Sequence, residues 1–400
     1  MKILHLCLYG PYTDGFSYQE NLIPIYHKKM GLDVIIVANN TVFDYSGGVT
    51  CIEEGTYVDS NDIKIYRMAY KRILSSKFTH FFAKVNLRKL LEEEMPDIIF
   101  VHDAQLSCLS YLSVLKYKKR INPNVVIVGD IHTDIYNAEL VGQKKKSFFK
   151  TLFKVSIQKF FRKRIYPMYR KIYCVAQSSH YYAKNICHIS ETKLKLLPLG
   201  FDTDIYDLKD KIAIRKRFRE LYSFSDSDIV LIHGGKLDKK KMTIELINAV
   251  SMINNSHVKL LIFGGANASY LEEIKSLVIK YNDWLTYVGP LKQSDYYDAF
   301  ISADIAVFPG GQSSLWQEAI GCRLPIIVYY RDGQTQYLNR NGNAMFIPKQ
   351  SVAKIKETLE LALNKVDEMK LCAEKAYEFF SYKNEAEEII RDCEMRSENI

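Results

Sequence analysis

Apolar positions along this chain fall in short runs, and the stretches between them carry helical spacing. Residues 3–8 form the first run and predict a buried strand, followed by a loop through Gly10, Asp14 and Gly15. A helix is expected over residues 17–30, stopped by Gly31. Residues 33–37, 63–67, 97–101 and 125–128 read as further strands, with helices over 78–94 and 108–118 among them. Residues 172–176 and 195–198 continue the series. Strands joined by long crossovers favour an open parallel sheet, which places ligands at the carboxyl ends of its strands.

The periodicity lapses over residues 199–210, which read as a linker, and then begins again. Strands are expected at 229–232, 258–263, 285–288 and 305–308, two of them running directly into glycines. A helix is expected over 243–252, and helical spacing dominates from 352 to 365, 367 to 380 and 384 to 395. Two doubly wound α/β domains facing each other across a cleft follow from this pattern: 1–205, 206–380, and a last helical segment, 381–400, packing back on the first domain.

No apolar run reaches the ~18–20 residues that span a bilayer, and the opening run is too short for a signal sequence. The eight cysteines are scattered without a Cys-x-x-Cys pair, so neither a disulfide framework nor a cysteine metal site is expected. A cytoplasmic protein is the reading that fits. The net charge of +9 is local: eleven lysines and arginines, and no acid, lie between Lys144 and Lys171. Phenylalanines and isoleucines recur there at helical spacing, which makes 144–171 an amphipathic, cationic helix suited to an anionic membrane surface. A helix packed on the first domain with a solvated outer face is the plain alternative. No nucleic-acid recognition module accompanies it, so nucleic acid is not an expected partner.

Strand, glycine turn, helix and strand succeed one another from Ser302 to Tyr330. The turn Gly310-Gly311-Gln312 leads into a helix opening at Ser313 or Ser314, whose first amides, with Leu315, face an anion above the strand ends. Glu318 lies one turn further on, placed to accept hydrogen bonds from ligand hydroxyls. Upstream, Gly235 and Gly264 close two strands, and Lys236 and Lys241 flank a strand-to-helix turn within reach of a diphosphate. The plain readings are a solvated charge run for the lysines, ordinary capping for the serines and a simple turn at Asp14-Gly15.

Three segments resemble the family 4 retaining glycosyltransferases of the GT-B fold: 174–206, HGGKLDKKKM at 233–242, and Ser302 to Tyr330. The resemblance implies two Rossmann-like domains and a nucleotide-diphosphate sugar, UDP- or GDP-linked, as donor. The basic helix points to a glycan or lipid-linked envelope-polysaccharide acceptor, and with no Asp-x-Asp signature at a strand end facing the donor segment, no metal or cofactor is expected. Lys236 and Lys241 fall at the positions of the family's diphosphate-binding Arg and Lys, and Glu318 at that of the glutamate holding the donor ribose. His132 resembles the first-domain histidine that faces the donor sugar, with His102-Asp103 as a second candidate. The family's other glutamate, which touches the transferred sugar, would fall at 310, where this chain has Gly310; Gln312 or Ser313 are the substitutes at hand. Two rival readings remain: a UDP-N-acetylglucosamine 2-epimerase-like enzyme, which shares the fold, and a non-catalytic nucleotide-binding module.

Overall fold

The computed structural model describes residues 1–43, 48–69, 71–72, 83–104, 110–134 and 160–395. The chain divides into two compact units. Met1–Pro198 and Glu385–Ile400 make the first, and Leu199–Asn384 the second.

The first unit is built on a sheet with eight strands among the described residues: β1 (Lys2–Cys7), β2 (Asp33–Asn39), β3 (Gly55–Val58), β4 (Lys64–Met68), β5 (Ile98–Val101), β6 (Val126–Ile131), β7 (Lys171–Cys174) and β8 (Leu194–Leu196). Their order is β8-β7-β6-β5-β1-β2-β4-β3, parallel throughout except for the edge strand β3. β1 lies in the middle, with His5 opposite Ile36 on one side and Phe100 on the other. Both faces of the central strands are covered, so they read as unbroken apolar runs; Leu4, Leu6, Ile99, Val101 and Ile127 are fully buried. Helix α1 (Gln19–Lys29) contains Pro24, and α2 (Tyr111–Arg120) packs its buried Tyr111, Val114 and Tyr117 into the same core.

The second unit carries a sheet of six parallel strands: β9 (Ile229–Gly234), β10 (Val258–Phe263), β11 (Leu285–Tyr287), β12 (Ile305–Phe308), β13 (Ile326–Tyr329) and β14 (Ala344–Ile347), in the order β11-β10-β9-β12-β13-β14. The order reverses between β9 and β12, so the carboxyl ends of these two neighbours form the switch point where such sheets bind ligands.

Three expectations need correcting. The stretch 199–210 is not an open linker: Thr203–Asp207 is a helix, α3, capped by the Asp202 carboxylate, and Phe201 is fully buried and bridged to Ser381. The helix expected over 78–94 is formed only at Arg88–Glu94 within the described residues, with Ala83–Lys84 extended. The basic helix at 144–171 lies outside the described residues up to 159; beyond it, Phe161–Ile165 is a π-helical turn, Tyr166–Met168 a 3-10 turn, and Lys171 already belongs to β7.

Helix α4 (Lys211–Leu221) went unread because its charges mask its apolar face. It is fixed instead by Asp304 at the start of β12, which is 2% exposed and accepts from Arg215 at 2.8 Å, Arg219 at 3.3 Å, Lys370 at 2.7 Å and the Val230 amide at 2.8 Å. Helices α5 (Thr243–Val250), α6 (Gln293–Ser302) and α7 (Leu315–Gly321) follow their strands. The last helix, α8 (Tyr382–Glu394), starts in the second unit and ends in the first. There Asp392 accepts from the Tyr173 hydroxyl at 3.0 Å and pairs with Lys195 at 2.8 Å.

Candidate functional site

In the second unit the segment after β12 lies against the turn after β9. The Gly311 amide donates to the Lys240 carbonyl at 2.8 Å. Gly310 is pressed so closely that a β-carbon on it would stand 2.3 Å from that same oxygen and 2.4 Å from the Lys241 α-carbon. Glycine is therefore a steric requirement at this position, and no carboxylate side chain fits. Lys240 and Lys241 are held in turn by Asp238, whose Oδ1 accepts both of their amides at 2.9 and 3.1 Å.

The Lys241 ammonium donates to the carbonyls of Gly311, at 3.3 Å, and Gln312. Burial lowers its pKa, and the nearby Arg331 guanidinium lowers it further, against Asp238. Arg331, just beyond the carboxyl end of β13, forms no ion pair among the described residues. It lines, with Asp238, Lys239, Lys240, Lys241, Glu245, Gly311, Gln312 and Gln350, a cavity of about 600 Å³. Two cations that raise each other's energy at a strand end make an anion-binding arrangement.

Gly235, at φ +109, borders this region. A β-carbon there would approach Leu315 to 3.3 Å and Ser313 to 3.8 Å. Gly264 packs backbone to backbone on Gly235, where a β-carbon would meet the Gly235 oxygen at 1.8 Å, so its place is in the frame and not on the cavity wall. Ser313 Oγ accepts the Leu315 amide at 3.3 Å, while Ser314 occupies the cap position without a side-chain bond. Lys236 is exposed and outside the cavity lining. Glu318 also lies off the lining: it is 7% exposed, and Oε2 accepts the hydroxyl of Tyr297 from α6. Burial, with Asp202 beyond it, raises Glu318 to about 7 against the hydrogen bonds of Tyr297 and Tyr296.

A second constellation stands at the strand ends of the first unit. A cavity of about 240 Å³ is lined by Cys7, Tyr9, Gly10, Pro11, Tyr12, Glu20, His102, Asp103 and His132. The residues arrive there because β1, β5 and β6 are adjacent and end together. Asp130, fully buried, accepts from His102 Nδ1 at 3.0 Å and from the Asp103 amide at 2.6 Å, and faces His132 Nε2 at 3.5 Å. Burial would lower His132, but Asp130, with Asp103 and Glu20 adding, raises it to about 9. Asp103 adopts φ +63 and is pushed up to about 7 by burial, its Oδ1 enclosed without a protein partner. Asp14 does not face this cavity. Its carboxylate binds Arg67 at 2.8 Å and the Tyr57 hydroxyl at 2.6 Å, and Gly15 follows in an open turn at φ +75.

Sequence reasoning missed Arg331 and Tyr297. Arg331 had a signal in its place three residues past the β-branched run 326–328; Tyr297 had none, because its meeting with Glu318 is made by packing alone.

Two family models match the chain, Glycosyltransferase Family 4 over residues 26–205 and Glycosyl transferases group 1 over residues 214–379. The chain belongs to the family 4 glycosyltransferases. It is an enzyme of the GT-B fold. Among solved structures, a glycosyltransferase from Rickettsia africae matches with a TM-score of 0.69 at 15% identity, over 98% of this chain and 97% of that one. HepE from Anabaena in complex with UDP matches with 0.66 at 14%, over 98% and 99%. The sucrose-phosphate synthase from Thermosynechococcus elongatus matches with 0.65 at 14%, over 98% and 97%. No curated protein matches this glycosyltransferase in sequence. No helix among its described residues is long and apolar enough to cross a membrane.

Proposed function

We propose that this glycosyltransferase is a retaining enzyme. It takes a UDP- or GDP-linked sugar in the second unit and passes it to a glycan or lipid-linked envelope-polysaccharide acceptor, without a metal. One observation carries the reading: Lys241 and Arg331 flank the Gly310-Gly311 turn at the switch point of the sheet, with no carboxylate paired to Arg331 among the described residues. Charge accumulates on the leaving diphosphate during transfer, and cations already fixed there stabilise it without reorganising. The UDP bound by HepE favours a uridine donor. Glu318 is the acceptor for ribose hydroxyls once the Tyr297 hydroxyl releases Oε2, and His132 is the first unit's residue for substrate hydroxyls. The cytoplasmic face of a membrane is the proposed workplace, through the basic stretch 144–171.

The test is a thermal-shift screen of UDP- and GDP-linked sugars with and without EDTA, followed by the anomeric configuration of the product. A ligand at a hundredfold its Kd raises stability by about 2.7 kcal/mol, an easily read shift. Absence of any shift with every nucleotide sugar, or a product of inverted configuration, overturns the reading.

A further inference from the structure

His102 and His132 were legible as candidates, but two further histidines lie buried behind them with no part in the site as described. His5, on the central strand, is fully buried, and so is His27 on α1. They form one line. Asp130 Oδ2 stands 3.0 Å from His102 Nδ1, His102 Nε2 stands 3.1 Å from His5 Nδ1, His5 Nε2 stands 3.1 Å from His27 Nδ1, and His27 Nε2 stands 3.2 Å from the Ala386 carbonyl of α8. His5 is near-parallel to the His102 ring, at 24°, and tilted 33° from His27.

Both ends of this line are acceptors: a carbonyl oxygen at one, a carboxylate at the other. Four hydrogen bonds therefore need four protons, and three neutral imidazoles bring only three. Starting from Ala386, His27 must carry its proton on Nε2 and accept on Nδ1, and His5 must do the same. His102 then donates from Nε2 to His5 and also from Nδ1 to Asp130, which makes it an imidazolium. In a site this buried an unmade bond or an unmatched charge is costly, so the line settles with its extra proton.

We propose that His102, His5 and His27 are positioning residues that hold one proton beyond their three neutral rings, shared between His102 and Asp130. That proton meets the Asp130 charge from behind and leaves His132, on the other oxygen, to exchange its own proton in the cavity. The surroundings agree. Burial keeps His27 near 4 and His5 well below the ordinary imidazole range, so neither takes the extra proton. Cys7, Tyr169 and Glu385, which also feel Asp130, are held in their neutral forms by burial, and Cys174 is raised to about 12. Asp103, Glu20, His132, Tyr9 and Tyr12 are the other ionisable groups facing the cavity, the two tyrosines held neutral by burial.

The test is nitrogen-15 NMR of the histidine rings in the full-length protein at pH 7.5. His102 should be protonated on both nitrogens, with His5 and His27 protonated on Nε2 only. His27→Gln keeps a donor toward Ala386 and an acceptor toward His5, and should preserve that pattern. His27→Leu removes the far acceptor, lets His5 turn its proton toward His102, and should leave His102 neutral. A bare ring nitrogen on His102 in the unaltered protein overturns the proposal, whether or not the leucine variant folds. The catalytic consequence rests on the proposed reading that His132 faces substrate: the acid limb of the kcat/KM profile should move up by about one pH unit in His27→Leu and stay put in His27→Gln. An unmoved limb in a folded leucine variant removes the positioning role. Absence of transfer with any donor counts against the proposed function alone, since the ring spectra decide the proton count without it.

Discussion

Gly310 lies flush against Lys240, so close that a β-carbon would stand 2.3 Å from the lysine's carbonyl oxygen. The neighbour is backbone and cannot swing aside as a side chain would. Gly310→Ala should cost about 2–3 kcal/mol through overpacking, and Gly310→Glu at least as much, read by denaturant unfolding. Neither should raise transfer. A Gly310→Glu variant with unaltered stability would mean that the two segments part easily.

Lys241 and Lys236 separate the diphosphate reading from a plain charge run. Lys241→Met and Arg331→Gln should each weaken binding of UDP or GDP by about ten- to a hundredfold, measured by calorimetry, since each removes a charge-assisted contact. Lys236 is exposed and off the cavity, and Lys236→Met should change affinity by less than about threefold. Equal losses at both lysines would return Lys241 to the status of a general surface charge.

Glu318 gives stability and binding opposite slopes with pH. Its folded pKa of about 7 lies above the ordinary carboxylate value, so the fold favours its protonated form. The stability this contributes, up to about 3 kcal/mol, is complete below pH 4.5 and is lost as pH rises through 7. Donor binding should run the other way and strengthen above pH 7, where the carboxylate is free to accept hydroxyls. Glu318→Gln should flatten both profiles between pH 4.5 and 7 and abolish most turnover while leaving the protein folded. Full activity in that variant would remove Glu318 from the site.

Asp304 holds three cations at the start of β12. Burial would raise its pKa, but Arg215 and Lys370, with the Val230 amide, depress it. Its contribution is therefore present above pH 4 and lost as pH falls further. Asp304→Ala should destabilise the second unit by about 3–5 kcal/mol, because Arg219 is left buried without its partner. A loss below about 1 kcal/mol would show that water reaches the arginine.

The strand core was legible because parallel strands buried on both faces must be written in unbroken apolar residues; 258–263 and 305–308 were read residue for residue. The edge strand β3 was not, since Gly55 and Thr56 bury nothing and Val58 is exposed. Helix α4 escaped because long-range ion pairs to Asp304 hold it, and no local spacing records them. At the cavity of the second unit, the motif positions Lys241, Gly311 and Gln312 are among the lining residues. They did not show that Glu318 turns inward to Tyr297, that Asp14 is spent on Arg67, or that Gly310 has no room for a side chain. Each of those depends on a segment far away in sequence.

The return of α8 to the first unit sets an order on synthesis. A ribosome that has made the whole of 1–198 has not yet made Ala386 or Asp392, the partners of His27, Tyr173 and Lys195. The first unit to emerge is thus the last to be sealed, and in the meantime its buried face must be shielded from other chains. Shortening the chain at its far end would damage the half that was made first.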